Sequence, residues 1–172
     1  MTSNIQDGCM KIMNNIRIYI LGVFIFCFCL CNFINGQKLV YLEYSETLTF
    51  DQKRLPDAQI LKGNVRFKHD DMLMFCDSAY FYDKSNSIDA FGNVRFEQGD
   101  TLYGYGDILY YDGNTRLARV RNNVRLIHRE TILTTDSLNY DRLKGVAYYF
   151  GSGTIRDSIN TLQSQLGFYT PS

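Results

Sequence analysis

The chain is predicted to be an all-β protein built from repeated hairpins, and three features of the sequence support this. The phrase Gly-Asn-Val-Arg-Phe at residues 63–67 returns 29 residues later at 92–96, and a weaker copy lies at 122–126. Apolar and polar residues alternate within each period, which is the pattern of a strand with one face on a core. No helical periodicity of useful length follows residue 37. A fixed period of this kind indicates stacked supersecondary units, each too small to bury its apolar face alone.

The first 36 residues have the character of a targeting segment. Two basic residues precede an apolar run over residues 18–31, and small or polar residues follow up to Gly36. This order is typical of a secretory signal. We therefore expect a signal helix over residues 1–36 and a single exported domain over residues 37–172. The apolar run is short for a membrane span, which needs roughly 20 residues, but an uncleaved inner-membrane anchor remains an open alternative.

The repeat unit is interpreted as a long hairpin that is bent at its middle. Within residues 87–112, two arms of about 11 residues flank a turn signal. Gly92 interrupts the forward arm at a point where strands often bend or bulge. The return arms carry a recurring aspartate near their middle, for which a turn or bulge role is favoured over calcium binding: Asp77, Asp107 and Asp136. Stacked hairpins of this shape form two facing sheets joined along a fold line, V-shaped in cross-section.

One face of every arm is predicted to line the interior of the V. The return arms are aligned on a Tyr-Asp step that recurs every 29 residues, at 82–83, 111–112 and 140–141. With this alignment most tyrosines share the phase of the core residues. The predicted interior residues are Val65, Phe67, Tyr80, Tyr82, Ile88, Ala90, Val94, Phe96, Leu109, Tyr111, Ala118, Val120, Val124, Leu126, Leu138 and Tyr140.

The histidines, Cys76 and a set of arginines are interpreted as structural or surface residues. His69 and His128 fall in predicted turns, so we expect solvated loop residues and no metal pair. Cys76 has no motif around it and is expected to be a buried apolar residue. Three arginines share one phase of the repeat, are expected to face outward, and form a ladder that could meet anionic head groups: Arg66, Arg95 and Arg125.

Charge and motif content exclude several classes of function. Lys and Arg together number 18, as do Asp and Glu, and no basic stripe is present to bind a nucleic-acid backbone. The sequence has no nucleophile elbow, phosphate-binding loop or convincing metal cluster. It therefore predicts a protein that is not an enzyme, holds no cofactor or metal, and has no nucleic-acid partner.

The most specific stretch of the sequence, residues 77–96, joins Asp-Ser-Ala-Tyr-Phe-Tyr-Asp to Gly-Asn-Val-Arg-Phe. It resembles the OstA-like family in its Bacteroidetes-type version. That family has the LptA-type fold of periplasmic lipopolysaccharide-transport proteins and of the N-terminal domain of the outer-membrane translocon. The resemblance covers residues 39–169 and implies an open β-jellyroll whose apolar interior carries the acyl chains of lipopolysaccharide. It also implies a short, truncated or split family member, because relatives of this type are usually longer.

Three functions remain open at this point. The first is a periplasmic module that shields lipopolysaccharide acyl chains and joins edge to edge with LptA-like domains, the outer-membrane translocon or a second copy. An acyl chain of a dozen carbons needs apolar cover worth about 10 kcal/mol, and unpaired edge strands invite β-augmentation. The second is an assembly module of the cell envelope without lipid cargo. The third is a carbohydrate-binding sandwich with exposed tyrosines, which the predicted inward phase of most tyrosines disfavours.

Overall fold

The computed structural model describes residues 38–171, which belong to one compact unit made of antiparallel strands. The prediction of an all-β fold is confirmed. The predicted signal over residues 1–36 lies outside the described residues, and within those described no helix is long and apolar enough to cross a membrane. The strands are β1 (Tyr41–Tyr44), β2 (Thr47–Asp51), β3 (Leu55–His69), β4 (Met72–Tyr82), β5 (Ser87–Gln98), β6 (Leu102–Asp112), β7 (Leu117–His128), β8 (Thr131–Asp141), β9 (Val146–Arg156) and β10 (Thr161–Tyr169).

All ten strands form one open sheet. From β3 to β10 each strand pairs with the next one along the chain, while β1 and β2 both pair with β3. β1 pairs with one half of β3 and β2 with the other half. In the described part of the chain, β1 and β2 therefore form one edge of the sheet and β10 forms the other.

Each long strand is bent at its middle by a bulge. The pairs Lys62↔Ser78 and Val65↔Cys76 flank the first one, so the forward strand contributes one more residue than the return strand. The same irregularity recurs in every later pair of long strands. We call the line through these bulges the crease and the two halves of the sheet its wings. Each wing ends in a row of turns with the strand residues beside them: lip A at residues 69–72, 98–102, 128–131 and 156–161, and lip B at 51–55, 82–87, 111–117, 140–146 and the end of β10 at Tyr169.

The crease is built from left-handed backbone, which explains the repeated Gly-Asn phrase. Gly92 and Asn93 have φ values of 75° and 44°, a region that glycine enters freely and asparagine more easily than most residues. Asn93 Nδ2 donates to Asp77 Oδ2 at 2.8 Å, and Asn123 Nδ2 donates to Asp107 Oδ2 at 2.7 Å. The register shifts place all three recurring aspartates at the crease, as predicted: Asp77, Asp107 and Asp136.

The apolar core lies between the wings. Phe67 of one wing contacts Phe81 of the other, with ring centroids 5.5 Å apart, and Phe96 stacks on Tyr140 at 6.2 Å. Gly104 leaves the space that the Phe96 ring fills, because a Cβ there would overlap the ring. The two wings thus pack face to face, and the V is filled by its own side chains.

Candidate functional site

Most of the predicted interior residues lie in the core. They alternate with outward-facing neighbours along the strands, as period-two patterning requires. Their placement is a structural finding, whereas a role in binding lipid stays a prediction. The buried members are Val65, Phe67, Ile88, Ala90, Val94, Phe96, Leu109, Tyr111, Ala118, Val120, Val124, Leu126, Leu138 and Tyr140.

The inward placement of Tyr80 and Tyr82 was wrong. Phe81 is buried, and the two tyrosines flanking it lie on the opposite face of β4. Asp77 and Asp107 occupy equivalent crease positions and are 30 residues apart, whereas the Tyr-Asp step assumed a spacing of 29. A slip of one residue turns every side chain of a strand to the other face. The spacing of the crease aspartates was the signal in the sequence that could have prevented the error.

Most tyrosines face outward, which reverses a second expectation. Only three are buried in the described part of the chain: Tyr111, Tyr140 and Tyr149. The orientation of the tyrosines therefore no longer disfavours a carbohydrate-binding surface. Nothing in the described residues identifies a sugar site. The outward-facing tyrosines are Tyr41, Tyr44, Tyr80, Tyr82, Tyr103, Tyr105, Tyr110 and Tyr148.

The two histidines are buried strand residues, so the expectation of solvated turn residues was wrong. His69 is the last residue of β3 and His128 the last of β7. Each continues the inward phase of its strand, following Val65 and Phe67 in the case of His69. Because a polar turn follows each histidine directly, there was no clear sign in the sequence that the strand and its inward phase extend to the histidine.

Side-chain hydrogen bonds between lip A and lip B close the mouth of the V. We call them rungs: the first joins His69 Nδ1 and Tyr111 OH at 2.6 Å, the second Gln98 Oε1 and Tyr140 OH at 3.2 Å, and the third His128 Nδ1 and Tyr169 OH at 3.0 Å. The partners are 42, 42 and 41 residues apart. Because this separation is nearly constant, the rungs recur once per repeat.

Arg142 connects the first two rungs. Its side chain is only 3% exposed and donates to Tyr111 OH at 2.6 Å and to Asp71 Oδ1 at 2.7 Å. It also donates to the His69 carbonyl at 3.3 Å and to Gln98 Oε1 at 3.4 Å. No buried side-chain nitrogen or oxygen in the described region lacks a partner, so the polar mouth is fully satisfied.

The hydrogen bonds of His69 define its neutral form. Its Nε2 lies 3.1 Å from the Lys38 carbonyl, which can only accept, so this nitrogen carries the hydrogen. Nδ1 is then the acceptor for the Tyr111 hydroxyl. Burial lowers the pKa of His69 and the nearby Arg142 guanidinium lowers it too, while the Asp70 carboxylate opposes them.

Residues 38–40 complete the mouth at the β1 edge. The Val40 amide donates to Asn86 Oδ1 of lip B at 2.7 Å, and the Val40 side chain is buried against Gly113. Lys38 Nζ pairs with Asp70 of lip A at 3.0 Å. This segment therefore contacts both lips.

Apolar side chains of the inward phase are exposed where the sheet ends. On β2, Leu48 is 44% and Phe50 66% exposed, and Leu48 pairs in register with the buried Leu61. On β10, Leu162 is 59% exposed and pairs with Ile155, which packs on the core. The apolar interior is thus continuous from one edge of the sheet to the other.

The predicted outward arginines do lie outside. Arg66 pairs with Glu43 at 3.2 Å and Arg95 with Glu97 at 2.8 Å, while Arg125 is exposed. Any contact of this ladder with head groups stays a prediction. Among residues 38–171, no group of three His, Cys, Asp or Glu side chains is arranged to hold a metal.

Cys76 is buried beside the crease in the middle of β4, as predicted. Burial raises the pKa of its thiol to about 12. Because the thiolate is the reactive form, this cysteine is expected to be inert in the folded protein.

Comparison with solved structures identifies the class of fold. The chain is similar to LptH of Pseudomonas aeruginosa, described as the LptA-homologous periplasmic component of the lipopolysaccharide transport device, with a TM-score of 0.52 and 13% identity over 60% of this chain and 76% of that one. At this identity the likeness shows the fold, which is the open β-jellyroll of lipopolysaccharide-transport modules. The family model described as OstA-like protein matches residues 37–172. The chain therefore belongs to the OstA-like family. No curated protein matches the sequence.

Proposed function

We propose that this chain is a periplasmic lipid-binding module that shields lipopolysaccharide acyl chains between its wings during transport to the outer membrane, without catalysing a reaction. The observation that carries this proposal is the apolar interior that reaches both edges of the sheet. Leu48, Phe50 and Leu162 continue the inward phase and are exposed at the two edges, where acyl chains or a partner strand would cover them. Apolar surface of this kind suits acyl chains, because each buried CH₂ contributes about 0.8 kcal/mol.

The partners proposed for the edges are LptA-like domains, the outer-membrane translocon or a second copy of the chain. β10 has one strand neighbour in the described sheet, and β1 and β2 also pair on one side only. Strands of this kind present backbone N–H and C=O groups to a further strand. Pairing there would extend the interior from one module into the next.

A photoreactive residue tests where the lipid lies. Introduced at the inward Phe96, it is expected to crosslink to labelled lipopolysaccharide. The outward Tyr105, an aromatic residue on the neighbouring strand β6, is the matched control and is expected to react weakly. Equal crosslinking at Phe96 and Tyr105 would contradict an interior lipid site.

An assembly module without lipid cargo is the second candidate, and the filled core favours it. The ring contacts between Phe67 and Phe81 and between Phe96 and Tyr140 close the interior without any ligand. This function predicts oligomers in detergent-free buffer and no lipid bound to the purified protein. Mass spectrometry of hydrophobic material that co-purifies with the wild type, compared with Phe96→Asp, separates the two functions.

A further inference from the structure

The lipid-binding role proposed above meets a physical obstacle, because the interior is shut. Phe96 and Tyr140 stack on each other across the space that an acyl chain would need. We infer that the mouth is a gate, that its rungs and Arg142 hold it closed in the empty protein, and that acyl chains enter as the lips part, beginning at the His128–Tyr169 rung. This inference rests on the proposed function.

The two junctions between the wings differ in kind, which determines where opening occurs. At the crease the wings are joined by the continuous backbone of every long strand. Across the mouth, the described residues form no strand pairing, since the sheet runs in one open order from β1 to β10. In the described part of the chain, side-chain bonds such as the Arg116–Asp70 ion pair at 3.0 Å join the lips directly, and residues 38–40 bridge them. The lips can therefore separate without breaking a strand ladder.

An acyl chain can offset the cost of opening, which consists of the rungs and of the apolar contacts between the wings. Each rung exchanges protein hydrogen bonds for hydrogen bonds with water, so its net contribution to closure is modest. A buried acyl chain replaces the apolar contacts that the wings lose on separating. A ligand with such chains binds the open state better than the closed one, which is the condition for shifting the equilibrium.

The closure is uneven along the mouth, which sets the direction of opening. The first two rungs share Arg142, and residues 38–40 bind both lips beside them. The third rung is a single bond of 3.0 Å in a part-buried setting. Pro171 occupies the position one 29-residue period after Arg142 and offers no donor there. Leu162, exposed beside this end, provides the first apolar contact for an entering chain.

A reversible disulfide across the mouth tests the gate. A Cβ on Gly113 would lie 2.7 Å from Val40 Cγ2, so the two Cβ atoms come within about 4 Å, which is disulfide range. Val40 leads directly into β1, which pairs with the lip A half of β3, whereas Gly113 belongs to lip B. Val40→Cys with Gly113→Cys therefore joins the wings. The full chain is used, with Cys9, Cys27, Cys29 and Cys31 replaced by alanine, and Cys76 retained because it is buried.

Uptake of fluorescently labelled lipopolysaccharide is measured with the disulfide formed and after reduction. The disulfide locks the β1 end of the mouth, so it tests whether the lips must part along their whole length after opening begins at the third rung. We expect uptake at least about tenfold slower in the oxidised form, and recovery to the rate of the parent without the cysteine pair after reduction. Equal uptake in both forms would overturn parting of the lips beyond the third rung and leave the lipid-binding role intact. No uptake by the reduced form or the parent would overturn both.

A milder pair of variants gives an answer even if the cysteine pair folds poorly, since a side chain at Gly113 also crowds the Asn86 carbonyl. Tyr169→Phe removes the hydroxyl of the third rung and nothing else. Tyr103→Phe removes an outward hydroxyl that donates to the Asp100 carbonyl at 3.2 Å, and is the matched control. We expect Tyr169→Phe to speed uptake about two- to tenfold and Tyr103→Phe to leave it unchanged. Unchanged or slower uptake by Tyr169→Phe would overturn opening from this end.

Discussion

The crease and the mouth both hold the two wings together, but they do so by different means. At the crease, a bulge with left-handed backbone recurs in each long hairpin, with glycine or asparagine at its first position and asparagine or serine at its second. At the mouth, the joining residues change from one rung to the next, and Gln98 stands where the neighbouring rungs have histidine. The geometry of the bend is therefore fixed by backbone requirements, whereas the strength of closure is set rung by rung.

The largest effect is expected for the packing that lies between the crease and the mouth. Phe96→Ala should lower the free energy of unfolding by about 3–5 kcal/mol, because it removes a fully buried ring that contacts both wings. Tyr105→Ala, on the outward face of the next strand, should cost less than about 1 kcal/mol. Urea denaturation of the two variants measures the difference. Similar costs would mean that the wings do not depend on this contact.

A substitution at the crease tests its backbone requirement. Gly92→Ala should cost about 2–3 kcal/mol, since φ is 75° and a Cβ would lie 2.5 Å from Asp77 Oδ2. Gly99→Ala is the control, because its φ of 58° is also left-handed but a Cβ there meets nothing within 4 Å. It should cost about 1 kcal/mol. Thermal and urea unfolding report both values, and equal costs would remove the crowding by Asp77 from the explanation.

A substitution at Arg142 measures how much the mouth contributes to stability. Arg142→Met should cost about 1–3 kcal/mol, because several polar partners in the mouth lose their donor. Arg125→Met, at an exposed outward position, should stay within about 0.5 kcal/mol of wild type. The same unfolding measurements apply. A loss from Arg142→Met greater than that from Gly92→Ala would reverse the ranking of the two junctions.

The smallest effect concerns pH. The folded state lowers the pKa of His69 and His128 below 6.5, chiefly by burial. The unfolded chain therefore binds more protons below pH 6.5, so this contribution to stability is complete above that pH and is lost as the pH falls toward 5. The melting temperature should drop by a few degrees over this interval. In the double variant His69→Gln with His128→Gln, which gives all three rungs the glutamine found at Gln98, the drop should be smaller, and an unchanged drop would exclude the histidines as its source.

The bent-hairpin architecture could be predicted because its causes lie close together in sequence. Gly92 and Asn93 mark a bulge by their own backbone preferences, and Val94 and Phe96 follow in strict alternation. The face of β4 could not be assigned from the Tyr-Asp step. The Tyr-Asp step marks the start of a turn. The segment between the crease and this turn is one residue longer in β4 than in β6, so Tyr82 points to the opposite face from the one assigned to it.

The mouth was missed for a different physical reason. His69 and Tyr111 are 42 residues apart and lie on different hairpins, and their contact depends on how far the two wings fold toward each other. Alternation along one strand carries no information about that angle. The buried position of Arg142 has the same origin, since a basic residue in a turn is usually solvated.

The order of the strands has a consequence for how such a protein can change in length. Since β4 to β10 each pair only with their neighbours in sequence, inserting or deleting one whole hairpin among them would leave every other pairing as it is. Each added hairpin would widen the sheet by about 9.6 Å, which is twice the spacing between strands. Duplication of a single gene segment of about thirty codons could thus produce longer relatives without any change in topology.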